Sequence, residues 1–433
     1  MPIAPIAIDS NPNYGGNLIN QKYSPLGEVQ LSSDNKKEVT AILNNRVSLL
    51  AARGLLPVSN TGTDHFYLLF FAPNNFLATV NRLLAPLIVV SSGRANWIQE
   101  TLNAGNRVNA GGSITGYDYN GVFNEGPVPW YFPGRSKRQT IIVTHSSECK
   151  YYANILKEFD NVFVVGYKFG SRVDMNDQLV GFGASRFAAM QLAINLRFPL
   201  VWAVDDNVVN INGFPQAVST VEGQMVAGTD FAFSFSAATS IKSTKPEITT
   251  ISMNENSYNL ANSNPGILQQ CVLWQPELLK NNNLNFSPIF VSSNEDVSLS
   301  SYLTATGRVQ KIIKPLTTTK YLASPDPYDP NDTTCNIGFY KYVIPFRQRI
   351  INYFAESEAS IPVSDIATSR TSNLADFISN FLKSQKKEQM DPNLAQSQAV
   401  EQILSASMKS PSWIPPNFFN PYGSQLIVKY LKY

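Results

Sequence analysis

Histidine and cysteine are nearly missing from this chain. His65 and His145 are the only histidines among 433 residues, which excludes HExxH zinc sites and most imidazole-based metal chemistry. Cys149, Cys271 and Cys335 are odd in number, far apart and in no CxxC pair, so neither a disulfide framework nor a zinc site is indicated. Any metal would be held by oxygen, which favours Mg2+ or Mn2+. Charge is also sparse. Charged residues make up 15% and the formal net charge is +2, so there is no basic coat, and any affinity for nucleic acid must come from a local patch. Long apolar runs are absent too. The most apolar region, from Tyr67, is cut by Pro73-Asn74-Asn75, Asn81-Arg82 and Pro86, short of the roughly 20 residues a membrane span needs. MPIAPIAIDSNPN, at the start, lacks the basic and apolar regions of a secretory signal peptide. The expectation is a soluble, cytoplasmic protein with no membrane span, export into a host cell without a signal peptide being left open.

What is present is ample core material. Hydrophobic residues are 43% of the chain, enough for two or three domains or one large α/β domain with additions. Residues 1–35 are rich in Pro, Asn, Gly and Ser and read as an extended arm or loop, followed by a helix from Lys36 to Leu55. HFYLLFF reads as a strand and FLATVNRLLA as a short helix. A theme then repeats: PLIVVSSGR, QTIIVTHSSE, NVFVVGY and LVWAVDD are apolar strands that mostly end in polar residues. Helical segments stand between them. Strand–helix alternation with nearly continuous apolar runs predicts a parallel sheet covered on both faces, whose ligands bind beyond the carboxyl ends of the strands. Further on come the strand FAFSFSAATS, the mixed segment ILQQCVLWQPELLKNN, a loop entering a helix at Asn294-Glu295-Asp296, and the strand VQKIIKP.

The strand LVWAVDD runs straight into Asp205, Asp206 and Asn207. Adjacent like charges repel and a dry carboxylate costs several kcal/mol, so a cation carrying phosphates would explain the cluster; a plain turn is the alternative. Asn294-Glu295-Asp296 is either a helix cap or the general base of a transfer, with Asp296 first and Glu295 second. Ser91-Ser92-Gly93-Arg94 closes the first strand as a Gly turn able to lie against a nucleotide. Gly181-Phe182-Gly183-Ala184-Ser185-Arg186 lacks the third glycine and the strand context of a dinucleotide fingerprint. It reads as a helix N-terminus whose Arg186 reaches a diphosphate or the acidic cluster. Glu148 and Tyr151 begin the helix after the second strand, and His145 reads as a satisfied strand-end residue.

In order and content these segments resemble the GT-A glycosyltransferases, and more narrowly the TET/JBP-associated glycosyltransferase family. That family shows a Gly-Arg turn, a Glu-x-x-Tyr segment, a Gly/Ser/Arg helix directly before a Trp-x-x-Asp-Asp-Asn run matched by Trp202, Asp205, Asp206 and Asn207, and a later Glu-Asp pair. The resemblance covers about residues 86–320. It implies a GT-A-like, Rossmann-type mixed sheet with helices on both faces, over residues 86–354 with an insertion at 104–138. An N-terminal extension at 1–85 and a helical appendage at 355–433 would pack on this core.

The implied activity is metal-dependent transfer of a sugar from a nucleotide-sugar, UDP-sugar first, to a hydroxyl on a protein or a hydroxymethylated DNA base. Asp205 and Asp206 would bind Mn2+ or Mg2+. Ser92, Gly93, Arg94, Glu148, Arg186, Asp205 and Asn207 would hold the donor, and Asp296 or Glu295 would be the base of an inverting reaction. The competing expectations are a nucleotide-binding pseudoenzyme and an interaction protein acting through its C-terminal Ser/Gln/Lys-rich region.

Overall fold

The computed structural model describes residues 4–10, 26–57, 65–109, 138–171, 179–211, 216–241, 266–321 and 343–433. Strands β1 (Ile6–Asp9) and β2 (Glu28–Gln30) precede helix α1 (Lys36–Ala52), strand β3 (Phe66–Ala72) and the four-residue helix α2 (Phe76–Thr79). The alternating unit follows: β4 (Leu87–Val90), α3 (Ala95–Asn109), β5 (Thr140–His145), α4 (Ser146–Ile155), β6 (Val162–Gly170), α5 (Phe182–Asn195) and β7 (Val201–Asp205). Then come β8 (Val208–Ile211), α6 (Gln216–Gln224), β9 (Asp230–Ile241), β10 (Cys271–Trp274), α7 (Pro276–Asn281), α8 (Glu295–Ala305) and β11 (Val309–Tyr321). The chain closes with α9 (Val343–Glu358), β12 (Pro362–Asp365), β13 (Arg370–Asn373), α10 (Leu374–Ser384), α11 (Pro392–Ser407) and β14 (Leu426–Lys432).

Ten strands form one mixed sheet in the order β14-β3-β6-β5-β4-β7-β10-β9-β11-β8. Its centre, β6-β5-β4-β7, is parallel throughout, while β3, β10 and β8 run antiparallel to a neighbour. Side chains alternate between two cores. Ile88, Ile141, Val143, Val165 and Val201 face the side covered by α5. Leu87, Val89, Ile142, Val164, Trp202 and Val204 face the side covered by α3 and α4. The switch of helices from one face to the other opens a crevice at the carboxyl ends of β4 and β7, where α/β sheets bind ligands. The expected mixed sheet with helices on both faces is present.

The ends of the chain differ from expectation. Within the presumed N-terminal arm, β1 pairs in parallel with β12, over 350 residues later, in a four-stranded sheet ordered β13-β12-β1-β2. Its apolar Ile6 and Ile8 alternate inward, a period of two that the Pro/Asn-rich surroundings mask. FLATVNRLLA yields only the single turn α2, because Pro86 and the polar Asn81-Arg82 leave no second turn to bury. The segment from 355 on is not helical throughout: LIVKYLKY becomes β14, the edge strand beside β3. Of the 104–138 insertion, residues 110–137 lie outside the described residues, and the described part continues α3 to Asn109.

Candidate functional site

Strand alternation sends the two adjacent aspartates to opposite faces of the sheet. Asp206 turns toward α3. Its Oδ1 takes an ion pair from Arg94 Nη1, and its Oδ2 accepts from Ser91 Oγ at 2.8 Å. The Trp97 indole N–H donates to its carbonyl at 3.3 Å. Asp205 turns toward α5, where Arg186 Nη2 pairs with its Oδ1 at 2.7 Å. The same guanidinium gives its Nε to Glu295 Oε1 at 2.7 Å, tying the first turn of α8 to the end of β7. Asp206 and Asn207 are buried and form the turn into β8, as the plain-turn alternative has it.

Arg186 reaches this position because α5 starts unusually close to another backbone. Gly181 is its N-cap with φ 125°, a conformation that favours glycine. A Cβ on Gly183 would collide with the Ser287 carbonyl oxygen, and its N–H donates to Phe290 O at 2.8 Å. The Gly-x-Gly pair is thus a seam for docking residues 287–291, a packing role that sequence reasoning did not anticipate.

Glu295 is buried. Burial pushes its carboxyl up and the neighbouring Asp296 charge pushes it further, while Arg186 pulls it down. Arg186 is held charged: burial opposes the cation, but Asp205, Glu295 and Asp296 outweigh it. Asp296 is half-buried at the second position of α8, with Oδ1 accepting from the Val297 N–H at 2.7 Å. Asn294 before it adopts a left-handed conformation (φ 60°), which asparagine tolerates better than most residues and which turns the chain into the helix.

Glu148 lies fully buried beneath the β4–α3 turn. Its oxygens accept from Ser92 Oγ at 3.1 Å, Thr144 Oγ1 at 2.9 Å and the Gly93 N–H. It therefore braces the Ser92-Gly93 turn from inside. Burial pushes its carboxyl up to about 7, against these three donors. A carboxyl that binds its proton more tightly when folded adds stability that is complete below the unfolded value and is lost as pH rises through the folded one. Urea unfolding should show stability falling between about pH 4.5 and 7, by at most about 3 kcal/mol from this group. Glu148→Gln should flatten part of that slope; an identical slope in the variant would rule Glu148 out as its source.

Sequence reasoning missed several contributors. The buried tyrosine of α4 is Tyr152, not Tyr151: its hydroxyl meets Ser91 Oγ at 2.9 Å and accepts the Arg94 N–H at 2.8 Å. Tyr151 instead reaches Asn96 at 3.4 Å. Trp202 points into the α3/α4 core, stacked on Phe235 and donating to Glu222, which Arg138 grips with both nitrogens. His145 ends β5 and caps α4 through Nδ1, which accepts from the Ser147 N–H.

A metal chelated jointly by Asp205 and Asp206 does not fit this arrangement. The two carboxylates diverge, each is already paired with a guanidinium, and no group of three or more His, Cys, Asp or Glu able to hold a metal occurs among the described residues.

No helix among the described residues is long and apolar enough to cross a membrane. No family model matches the chain, and no curated protein does, so the narrower resemblance to the TET/JBP-associated family stands on its motifs alone. Among solved structures, the chain is similar to residues 1–349 of S. aureus TarS, at 13% identity and a TM-score of 0.33, covering 76% of this chain and 91% of that one. The same protein in complex with UDP gives 11% identity, a TM-score of 0.34, and coverage of 76% and 92%. WbbM, a bifunctional glycosyltransferase in its apo form, gives 13% identity, a TM-score of 0.22, and coverage of 47% and 34%. Overlaps this weak assign neither family nor activity to this chain.

Proposed function

We propose that this protein transfers a sugar from a nucleoside-diphosphate donor, UDP-sugar first, to a hydroxyl acceptor. One observation carries the reading: Arg94–Asp206, Arg186–Asp205 and the Glu295-Asp296 start of α8 converge on one edge of the sheet, at the switch crevice between β4 and β7. In this reading the Ser92-Gly93-Arg94 turn, braced by Glu148, lies against the nucleotide. Asp205, Asn207 and Arg186 shape the diphosphate end. Asp296 takes the proton of the acceptor hydroxyl as its oxygen bonds to the sugar C1 and the bond from C1 to the diphosphate breaks, with inversion at C1.

The cluster holds more carboxylates than guanidiniums, so an anionic diphosphate needs a cation with it. This supports Mn2+ or Mg2+ arriving on the donor and meeting Asp205 or Asp206 singly, where it would supply charge neutralisation for the leaving diphosphate. The acceptor is a protein or a hydroxymethylated base in DNA. The test is calorimetric titration of UDP and GDP with and without Mn2+, followed by donor turnover. UDP should bind more tightly with Mn2+, and Arg94→Ala should weaken it by about tenfold, the loss expected for one charge-assisted contact. Failure of every nucleoside diphosphate to bind would sink the proposal. Binding without hydrolysis or transfer would select the pseudoenzyme instead.

A further inference from the structure

Residues 284–292 are buried one after another, yet none lies in a helix or strand. Such a segment is unusual, because buried irregular backbone leaves its N–H and C=O groups without ladder partners. This one leads directly into Glu295. The start of α5 donates to the carbonyls of Phe290 and Val291, Arg347 on α9 donates to Val291 O at 3.2 Å, and further partners come from the two ends of the chain. Glu401 on α11, 0% exposed, accepts the N–H groups of Val291 at 2.8 Å and Ser292 at 3.0 Å, and the hydroxyls of Ser292 at 2.5 Å and Ser293 at 3.2 Å. Arg46 on α1, also 0% exposed, pairs with Glu401 at 2.8 Å and Glu358 at 2.6 Å and donates to Ile289 O at 3.0 Å. Ser405 Oγ reaches the carbonyl of Asn294 at 3.2 Å.

Holding helices together would not require this. A buried ion pair is commonly no better for stability than apolar residues of the same volume. A carboxylate is suited to one task here, which is to gather four convergent donors from a loop that has no regular structure. The geometry points to Glu401, fixed by Arg46, as a positioning residue: it sets the 289–294 segment so that Glu295 meets Arg186 and Asp296 faces the crevice. Its catalytic consequence rests on the transferase reading; its structural consequence does not.

Hydrogen–deuterium exchange of Glu401→Gln tests it. The amides of Val291 and Ser292 should exchange about tenfold faster, the factor one lost charge-assisted hydrogen bond allows. Asp365→Asn, which disrupts a turn in the smaller sheet, is the control for general destabilisation and should leave residues 289–296 unchanged. In the same Glu401→Gln protein, kcat for transfer should fall by about 10- to 100-fold with UDP affinity within about twofold. Unchanged exchange at 289–296, or exchange raised equally everywhere, overturns the proposal whatever the chain catalyses. A loosened segment in a protein without transferase activity upholds the positioning role and sinks only the transferase reading. Should Glu401→Gln fail to fold, Ser292→Ala removes one donor and should quicken the same local amides by about threefold; no local change there overturns the proposal as well.

Discussion

Asp296→Asn is expected to reduce transfer by about 10²- to 10⁴-fold, the range of general-base catalysis, while nucleotide affinity stays within about twofold. Asp296 is half-buried at the start of α8, whereas Glu295 beside it is buried and spends Oε1 on Arg186. The helix dipole and the free N–H groups of a first turn favour an ionised carboxylate there. The asparagine keeps the size and the local hydrogen bond to Val297 but accepts no proton at neutral pH. Single displacement requires the product to have the opposite anomeric configuration from the donor, which NMR of the product reads. A retained configuration removes the need for a base at Asp296. Full turnover in the variant reduces the residue to a helix-terminal role.

The second large effect concerns stability. Arg186→Met should destabilise the fold by about 3–5 kcal/mol, the cost of removing one partner from buried ion pairs. The guanidinium serves Asp205 and Glu295 at once, with side-chain exposures of only 13% and 7%, so its loss strands two carboxylates. Adding Glu295→Gln to Arg186→Met should recover part of the loss, because the double variant buries one charge fewer. Chemical denaturation of the four members of this cycle measures the coupling. Strictly additive losses would mean that Arg186 and Glu295 do not share an interaction energy in solution.

Much of the centre of the fold was legible because its signals are local. Four apolar runs separated by helical segments specify a parallel sheet, and polar endings such as Asp205-Asp206 mark its ligand edge before any pairing is known. Of the residues singled out, Ser91, Ser92, Arg94, Glu148 and Asp206 are brought together on the α3 side of the sheet, and Arg186, Asp205 and Glu295 on the α5 side. What the sequence hides is which atom faces which. The divergence of Asp205 and Asp206 follows from strand alternation and could have been anticipated, whereas the choice of Tyr152 over Tyr151 depends on the rotation of α4 about its axis. Glu401 carried no local signal at all. In an amphipathic helix a lone Glu reads as solvated, and only the tertiary fold turns it inward onto a loop more than 100 residues earlier.

The closure between Arg46 and Glu401 also bears on when this protein can become active. The two residues are 355 positions apart, and β14 pairs with β3 over a similar distance. Bringing such ends together costs about 5 kcal/mol of loop entropy, which must be met before the contacts they form return anything. High contact order of this kind slows folding. During synthesis the strands β4 to β7 are complete while α11 is still to be made, so the crevice exists before the group that sets its far wall. The partners of the 289–294 segment on α11 are therefore synthesised well after the strands that form the centre of the sheet.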